Sequence, residues 1–194
     1  MFHVITGGSG SGKSAYAEEE LLRLAENSPG AEKYYIATME PFGEETLKKI
    51  ERHRRLRAGK GFQTVECYVG LAGCAKDLVK EAGGKDANEK DEGCDRRKRC
   101  VLLECMSNLV ANEMYRPDGA REHTVREILS GVSMLLETCT HVVVVTNEVC
   151  SDGNAESEEM MQYKQNLSRI NQRMAQMADA VTEVVYGIPV EIKR

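Results

Sequence analysis

No apolar run in these 194 residues approaches the roughly 20 that a helix needs to cross a bilayer. Nor is there an excess of basic residues. The formal net charge is −5, which argues against a general nucleic-acid-binding surface, although a local nest of backbone amides can still hold an anion. The first residues, Met1-Phe2-His3-Val4-Ile5-Thr6, enter a strand pattern at once, with no basic n-region and no cleavable apolar stretch. The expected location is therefore the cytoplasm. The seven cysteines are odd in number and none is spaced C-x-x-C. Reduced thiols, several of them acting as small hydrophobes, are the simplest reading, and a structural zinc site is not expected. No internal repeat is present.

What is present is a chain that is 41% hydrophobic, long enough to bury a core without disulfides and expected to form one domain over residues 1–194. Apolar runs and amphipathic stretches alternate along it. Strands are expected at Phe2–Thr6, Tyr34–Thr38, Phe62–Cys67, Cys100–Cys105 and His141–Thr146. The valines of the last run suit a parallel strand covered on both faces. Helices are expected at about Gly12–Glu26, Glu44–Arg57, Leu71–Ala82, Met106–Tyr115, Arg121–Thr138 and Ser157–Ala178, the fifth with Val125, Ile128, Leu129, Val132, Leu135 and Leu136 at three-and-four spacing. Val181–Tyr186 and Val190–Lys193 read as a closing hairpin around Gly187-Ile188-Pro189. Residues 83–99 are nearly all charged or small, and their mixed signs favour a solvated insertion over a binding patch built on Arg96, Arg97, Lys98 and Arg99. The alternation implies a mainly parallel sheet with helices on both faces.

Residues Gly7-Gly8-Ser9-Gly10-Ser11-Gly12-Lys13-Ser14 satisfy G-x-x-x-x-G-K-S/T between a strand and a helix. The spacing has a physical cause. Backbone N–H groups must turn inward around a phosphate, glycine permits the dihedrals, and the helix offers its N-terminus to the anion. Lys13 is expected to reach the β- and γ-phosphates and Ser14 to ligate Mg²⁺. A second metal contact normally comes from an acid at the end of a neighbouring strand. Glu104, after Val101-Leu102-Leu103, fits that place; the alternative is a strand-end carboxylate facing water. Signalling GTPase motifs are missing, because neither Glu104-Cys105-Met106-Ser107 nor Asn147-Glu148-Val149-Cys150 supplies D-x-x-G or N-K-x-D. A DNA-acting ATPase would need more chain, which leaves a small-molecule kinase or nucleotidyltransferase. His53 stands among Arg52, Arg54, Arg55 and Arg57. That neighbourhood favours a neutral, nucleophilic imidazole and could neutralise a triphosphate, though composition alone favours an exposed helix face with an incidental histidine.

In order, the segments Ile5–Gly8 with Ser11–Ser14, Tyr35–Thr38, Ile50-x-x-His53-Arg54-x-x-Arg57, Thr64-x-Glu66, Leu102–Cys105, Val145–Val149, and Ile170–Gln172 with Ala175, Ala178 and Asp179 resemble the bifunctional adenosylcobinamide kinase/adenosylcobinamide-phosphate guanylyltransferase family of cobalamin biosynthesis. The resemblance runs through nearly the whole chain. It implies a P-loop NTPase-type three-layer α/β fold, with the closing hairpin at its C-terminus. It also implies two reactions: ATP or GTP phosphorylates adenosylcobinamide, and GTP then gives GMP to that phosphate by way of a histidine, which corresponds to His53. Nucleotide contacts are implied at Gly7–Ser14, Ala37, Thr38, Met39, Arg54, Arg55, Leu56, Arg57, Glu66 and Glu104, with Ser14 and Glu104 at Mg²⁺ and Lys13 and His53 acting in catalysis. A homotrimer is implied as well. A monofunctional small-molecule kinase without a covalent intermediate stays open beside this reading. The chain departs from the family at Cys150–Asn154 and the acidic stretch Glu156–Glu159, and it has Phe62 where a tryptophan is usual.

Overall fold

The computed structural model describes residues 1–82, 99–149 and 157–194. Seven strands form one sheet in the order β3-β2-β4-β5-β1-β6-β7. They are β1 (Phe2–Thr6), β2 (Glu32–Ala37), β3 (Phe62–Glu66), β4 (Arg99–Glu104), β5 (His141–Val145), β6 (Ala180–Val185) and β7 (Ile188–Lys193). All neighbours are parallel except β6 and β7, which pair antiparallel. The helices are α1 (Lys13–Glu26), α2 (Gly43–Arg57), α3 (Leu71–Ala82), α4 (Met106–Tyr115), α5 (Thr124–Thr138) and α6 (Glu158–Met177).

The two-residue period of a strand divides the core into two layers. Val101 and Leu103 of β4 and Val142 and Val144 of β5 pack with Leu71, Leu109, Ile128, Val132, Leu167 and Ile170 from α3, α4, α5 and α6. The alternate residues Cys100, Leu102, Val143 and Val145 pack with Ala17, Leu21 and Leu24 of α1 on the other face. Both central strands are therefore buried on both sides, and each large aliphatic side chain so buried contributes about 1.5–3 kcal/mol. On α5, Gly131 is required by contact rather than by dihedral angle: a Cβ there would stand 2.6 Å from Leu71 Cβ on α3.

The closing hairpin differs in its turn. The reversal is at Tyr186 and Gly187, with φ of 52° and 79°, and Ile188 and Pro189 already belong to β7. Proline is tolerated there because β7 is the edge strand. Arg99 also differs from the solvated reading. It opens β4, pairs in register with Glu32, and is buried with its guanidinium donating to Thr138 O at 3.3 Å. Residues 83–98 lie outside the described residues, as does most of the divergent 150–159 stretch. The expected Arg121–Thr138 helix begins instead with a 3-10 turn at Arg121–His123. Because β1 to β5 run parallel, their C-terminal ends meet at one edge of the sheet, where an open α/β sheet binds its ligands.

Candidate active site

The loop after β1 is shaped by close backbone approach. Gly7 has φ 149°, and a Cβ there would stand 2.5 Å from Val184 O. Gly12 has φ 93° and caps α1, with Tyr16 N donating to Gly12 O at 3.1 Å. Ser11 N closes a turn on Gly8 O at 3.2 Å. Lys13 is buried, and its ammonium donates to Gly8 O at 2.9 Å. Burial holds its pKa below the usual lysine value, partly offset by Cys105 and Glu104. Gly8, Ser9 and Gly10 are exposed, whereas the Ser11 hydroxyl is buried without a partner.

Strand β4 carries Glu104 to the same place. The Ser14 hydroxyl donates to Glu104 Oε1, while Oε2 is buried and unpartnered. Burial pushes this carboxyl up to about 7; the Ser14 bond, Lys13 and Arg57 pull the other way. A buried carboxylate oxygen with no partner, beside a loop hydroxyl, is a hard oxygen donor set. Together with substrate phosphates it suits Mg²⁺, which takes one or two protein carboxylates or hydroxyls and completes its shell from phosphate and water. Among the described residues no cluster of three or more His, Cys, Asp or Glu is poised to hold a metal by itself.

Beside Glu104 opens a cavity of about 160 Å³, lined in part by Ala37 at the end of β2, Met39 after it, His53, Arg54 and Arg57 of α2, and Glu66 at the end of β3. Seven of the residues singled out in the sequence thus meet at one site. The arrangement follows from topology. β2 pairs with both β3 and β4, with Ala37 opposite Glu66 and Glu104, while α2, which connects β2 to β3, brings His53, Arg54 and Arg57 to the same cavity. Of the described α2 side chains only Arg57 is buried. Its guanidinium carbon lies 3.4 Å from the centre of the Tyr35 ring, a close cation–π contact, and its Nη1 is buried with no partner. His53 Nδ1 is likewise buried and unpartnered. Burial lowers the His53 pKa, with Arg57 and Arg52 adding to the effect and Glu18 opposing it, so the ring favours the neutral form. Arg54 contacts Glu66 at 3.5 Å, and both are exposed.

The phosphate-loop residues Gly7–Ser14 do not line the cavity and meet it through the Ser14–Glu104 bond, and two further named residues also stand apart. Arg55 pairs with Glu51 at 3.0 Å along the outer face of α2. Thr38 is buried, with its hydroxyl donating to Cys105 O at 2.8 Å and accepting from Cys105 N at 2.7 Å, so it ties the ends of β2 and β4 together. The side chain of Leu56 lies outside the described residues. Other lining residues escaped the sequence reading as site residues: Tyr35, Pro41, Leu47, Ile50, Thr64, Tyr68, Cys105 and Asn108. Tyr35, Ile50, Thr64 and Cys105 fall within segments already singled out by motif. Pro41, Leu47, Tyr68 and Asn108 had no local signal. A further pair, Lys60 donating to the buried Glu18 at 2.6 Å, ties the end of α2 to α1. Farther along the edge, Asn171 accepts from the Thr146 hydroxyl at 2.8 Å and donates to Asn147 O at 3.2 Å, joining two distant motif segments.

Solved structures similar to this fold include a KaiC-like protein from Pyrococcus horikoshii (TM-score 0.51, 13% identity, 94% of this chain and 69% of that one). An ATPase domain aligns with TM-score 0.50 and 11% identity, over 94% of this chain and 68% of its own. Among curated proteins, the bifunctional adenosylcobalamin biosynthesis protein CobU of Salmonella typhimurium is 29% identical over 204 residues, with all of both chains covered. The protein of the same name from Escherichia coli is also 29% identical over the full length of both. CobP of Pseudomonas aeruginosa is 29% identical over 193 residues, covering all of this chain and 98% of its own. A family profile described as cobinamide kinase / cobinamide phosphate guanyltransferase matches residues 3–192, and the chain belongs to that family.

Proposed function

We propose that this enzyme phosphorylates the hydroxyl arm of adenosylcobinamide from ATP or GTP and then transfers GMP from GTP to the new phosphate through a covalent GMP adduct on His53. Family membership carries the pair of activities and favours it over a monofunctional kinase. The observation that carries the mechanism is that His53 and Arg57 share one cavity with Glu104, which is bonded to Ser14 of the phosphate loop.

In the first reaction the substrate hydroxyl attacks the γ-phosphorus, the bond to the β-bridging oxygen breaks, and a nucleoside diphosphate leaves. The loop amides and Lys13 hold the phosphates in line. In the second, a nitrogen of neutral His53 attacks the α-phosphorus of GTP. The P–O bond to the leaving pyrophosphate breaks and a phosphoramidate forms. An oxygen of adenosylcobinamide phosphate then attacks the same phosphorus, the P–N bond breaks, and His53 is regenerated. Two displacements replace one difficult displacement between anions. Arg57, with one unpaired buried donor, is suited to steady the transferring phosphate. Ser14 and Glu104 would hold Mg²⁺, which when bound neutralises charge on the phosphates.

A homotrimer in the cytoplasm completes the reading. The exposed apolar side chains Ile188, Val190 and Ile192 on edge strand β7 are consistent with a subunit contact, and among the described residues no helix is long and apolar enough to cross a membrane. Incubation with α-labelled GTP and Mg²⁺ tests the mechanism. An acid-labile, base-stable protein adduct is expected, and it should vanish in His53→Ala. Label retained by that variant removes His53 from the role, while corrinoid phosphorylation without any adduct returns the enzyme to a simple kinase.

A further inference from the structure

Tyr186 is unexplained by the fold. It has φ 52°, a left-handed conformation that the first position of a two-residue hairpin turn usually assigns to Asn, Asp or Gly. Its side chain is 94% exposed, so packing within the chain does not compensate for that conformation. Yet the turn is fixed in place. Gly187 N donates to Ser11 O at 2.8 Å, and a Cβ on Gly12 would stand 3.3 Å from Gly187 Cα. The tyrosine is thus held beside the phosphate loop by the loop's own backbone.

The side of the loop matters. β1 lies between β5 and β6, with β4 beyond β5. The His53 cavity and Glu104 are on the β4 side and the Tyr186 turn is on the β6 side. A triphosphate whose middle phosphate occupies the loop has its α and γ ends on opposite sides. When the α-phosphorus faces His53, the nucleoside lies toward the cavity. Were the γ-phosphoryl instead to face Glu104 and an acceptor hydroxyl, the nucleoside would emerge on the hairpin side, where the exposed ring stands.

We propose that Tyr186 stacks on the base of the nucleoside triphosphate that donates its γ-phosphoryl group, so that one phosphate loop serves two nucleotide orientations with separate seats for the base. This rests on the bifunctional reading above. Stacking engages the π-face shared by all bases and reads no hydrogen-bonding edge. The kinase step is therefore expected to accept ATP and GTP alike, whereas base selection belongs to the His53 side.

The chain has no tryptophan, so Tyr186→Trp installs a single reporter at the turn. Its emission should be quenched on titration with ATP or GTP, and inorganic tripolyphosphate, which fills the loop but has no base, should leave it unchanged. In Tyr186→Ala, KM for ATP in corrinoid phosphorylation should rise about tenfold with kcat within about twofold, a shift of the size expected for one lost base–aromatic stack. Half-saturation by GTP for adduct formation should shift far less, and Tyr186→Phe should restore the ATP KM. An unchanged ATP KM in Tyr186→Ala, or quenching by tripolyphosphate equal to that by ATP, overturns the proposal. So does a change in assembly size with nucleotide affinity intact, which assigns the ring to a subunit contact. Failure of the wild-type protein to form a GMP adduct would count against the His53 mechanism alone, because quenching by ATP is read independently of it.

Discussion

Replacing Glu104 by glutamine should stabilise the free protein while disabling the kinase. In the folded chain burial raises the Glu104 carboxyl to about 7, against 4.5 for the free group. A carboxyl with a raised folded pKa favours folding fully below its unfolded pKa, and that contribution is lost as pH rises through the folded value. The window therefore runs from about 4.5 to somewhat above 7. Across it the full gap corresponds to on the order of 3 kcal/mol. Part of the residue's surface reaches solvent, although Oε2 itself is buried, so a gain of about 1–2 kcal/mol is the realistic expectation. Glutamine is neutral at every pH and keeps an oxygen to accept from Ser14. At about pH 8, without nucleotide or Mg²⁺, Glu104→Gln should melt about 2–8 °C above the wild type, and near pH 4.5 the two should coincide. Scanning calorimetry over that range reads both the sign and the window. Corrinoid phosphorylation by the variant should fall about 100-fold or more, as expected for loss of a preorganised charged group. A variant that melts at or below the wild-type temperature at about pH 8, with the same dependence on pH, refutes the account of a desolvated carboxyl whose Oε2 has no partner.

Three further outcomes follow from the geometry. Because His53 is held below the usual imidazole value by burial and by Arg57, the rate of GMP-adduct formation at saturating Mg²⁺, which keeps Glu104 ionised, should stay level from about pH 8 down to about pH 6.5 and fall only below it; a decline that starts between those values, followed by quench-flow with labelled GTP, would contradict a neutral nucleophile. Gly131→Ala places a Cβ 2.6 Å from Leu71 Cβ, so urea unfolding should show a loss of about 1–3 kcal/mol, while adduct formation by the folded fraction is retained. Arg57→Lys keeps the charge but gives up the planar contact on Tyr35, and adduct formation should slow about tenfold, measured at saturating GTP.

Much of the fold could be read locally because its signals are local. The valines of β5, the alternation in β4 and the three-and-four spacing of α5 each report burial through a period of two or 3.6 residues. The divergences have causes that lie elsewhere in the chain. The expected Gly187-Ile188-Pro189 turn moved to Tyr186-Gly187 because a proline is no obstacle on an edge strand and Gly187 N is bonded to Ser11 O. Arg99 joined β4 because its guanidinium finds Thr138 O, a partner 39 residues away that composition cannot reveal.

The phosphate-loop motif is legible in the sequence alone, since eight consecutive residues between a strand and a helix carry both the dihedral freedom and the charge that phosphate binding requires. Everything that makes the loop part of a larger site depended on tertiary structure. Glu104 reaches Ser14 because β4 lies two strands from β1 in a parallel sheet, and His53 shares its cavity because α2, which links β2 to β3, places it beside the ends of both strands. One helix sends Arg57 inward onto Tyr35 and Arg55 outward to Glu51, although only one residue separates them. Sequence patterns report what neighbours along the chain have in common. Desolvation, which shifts the proton affinities of Glu104, His53 and Lys13, depends on groups brought together from distant positions, and only the folded arrangement supplies it.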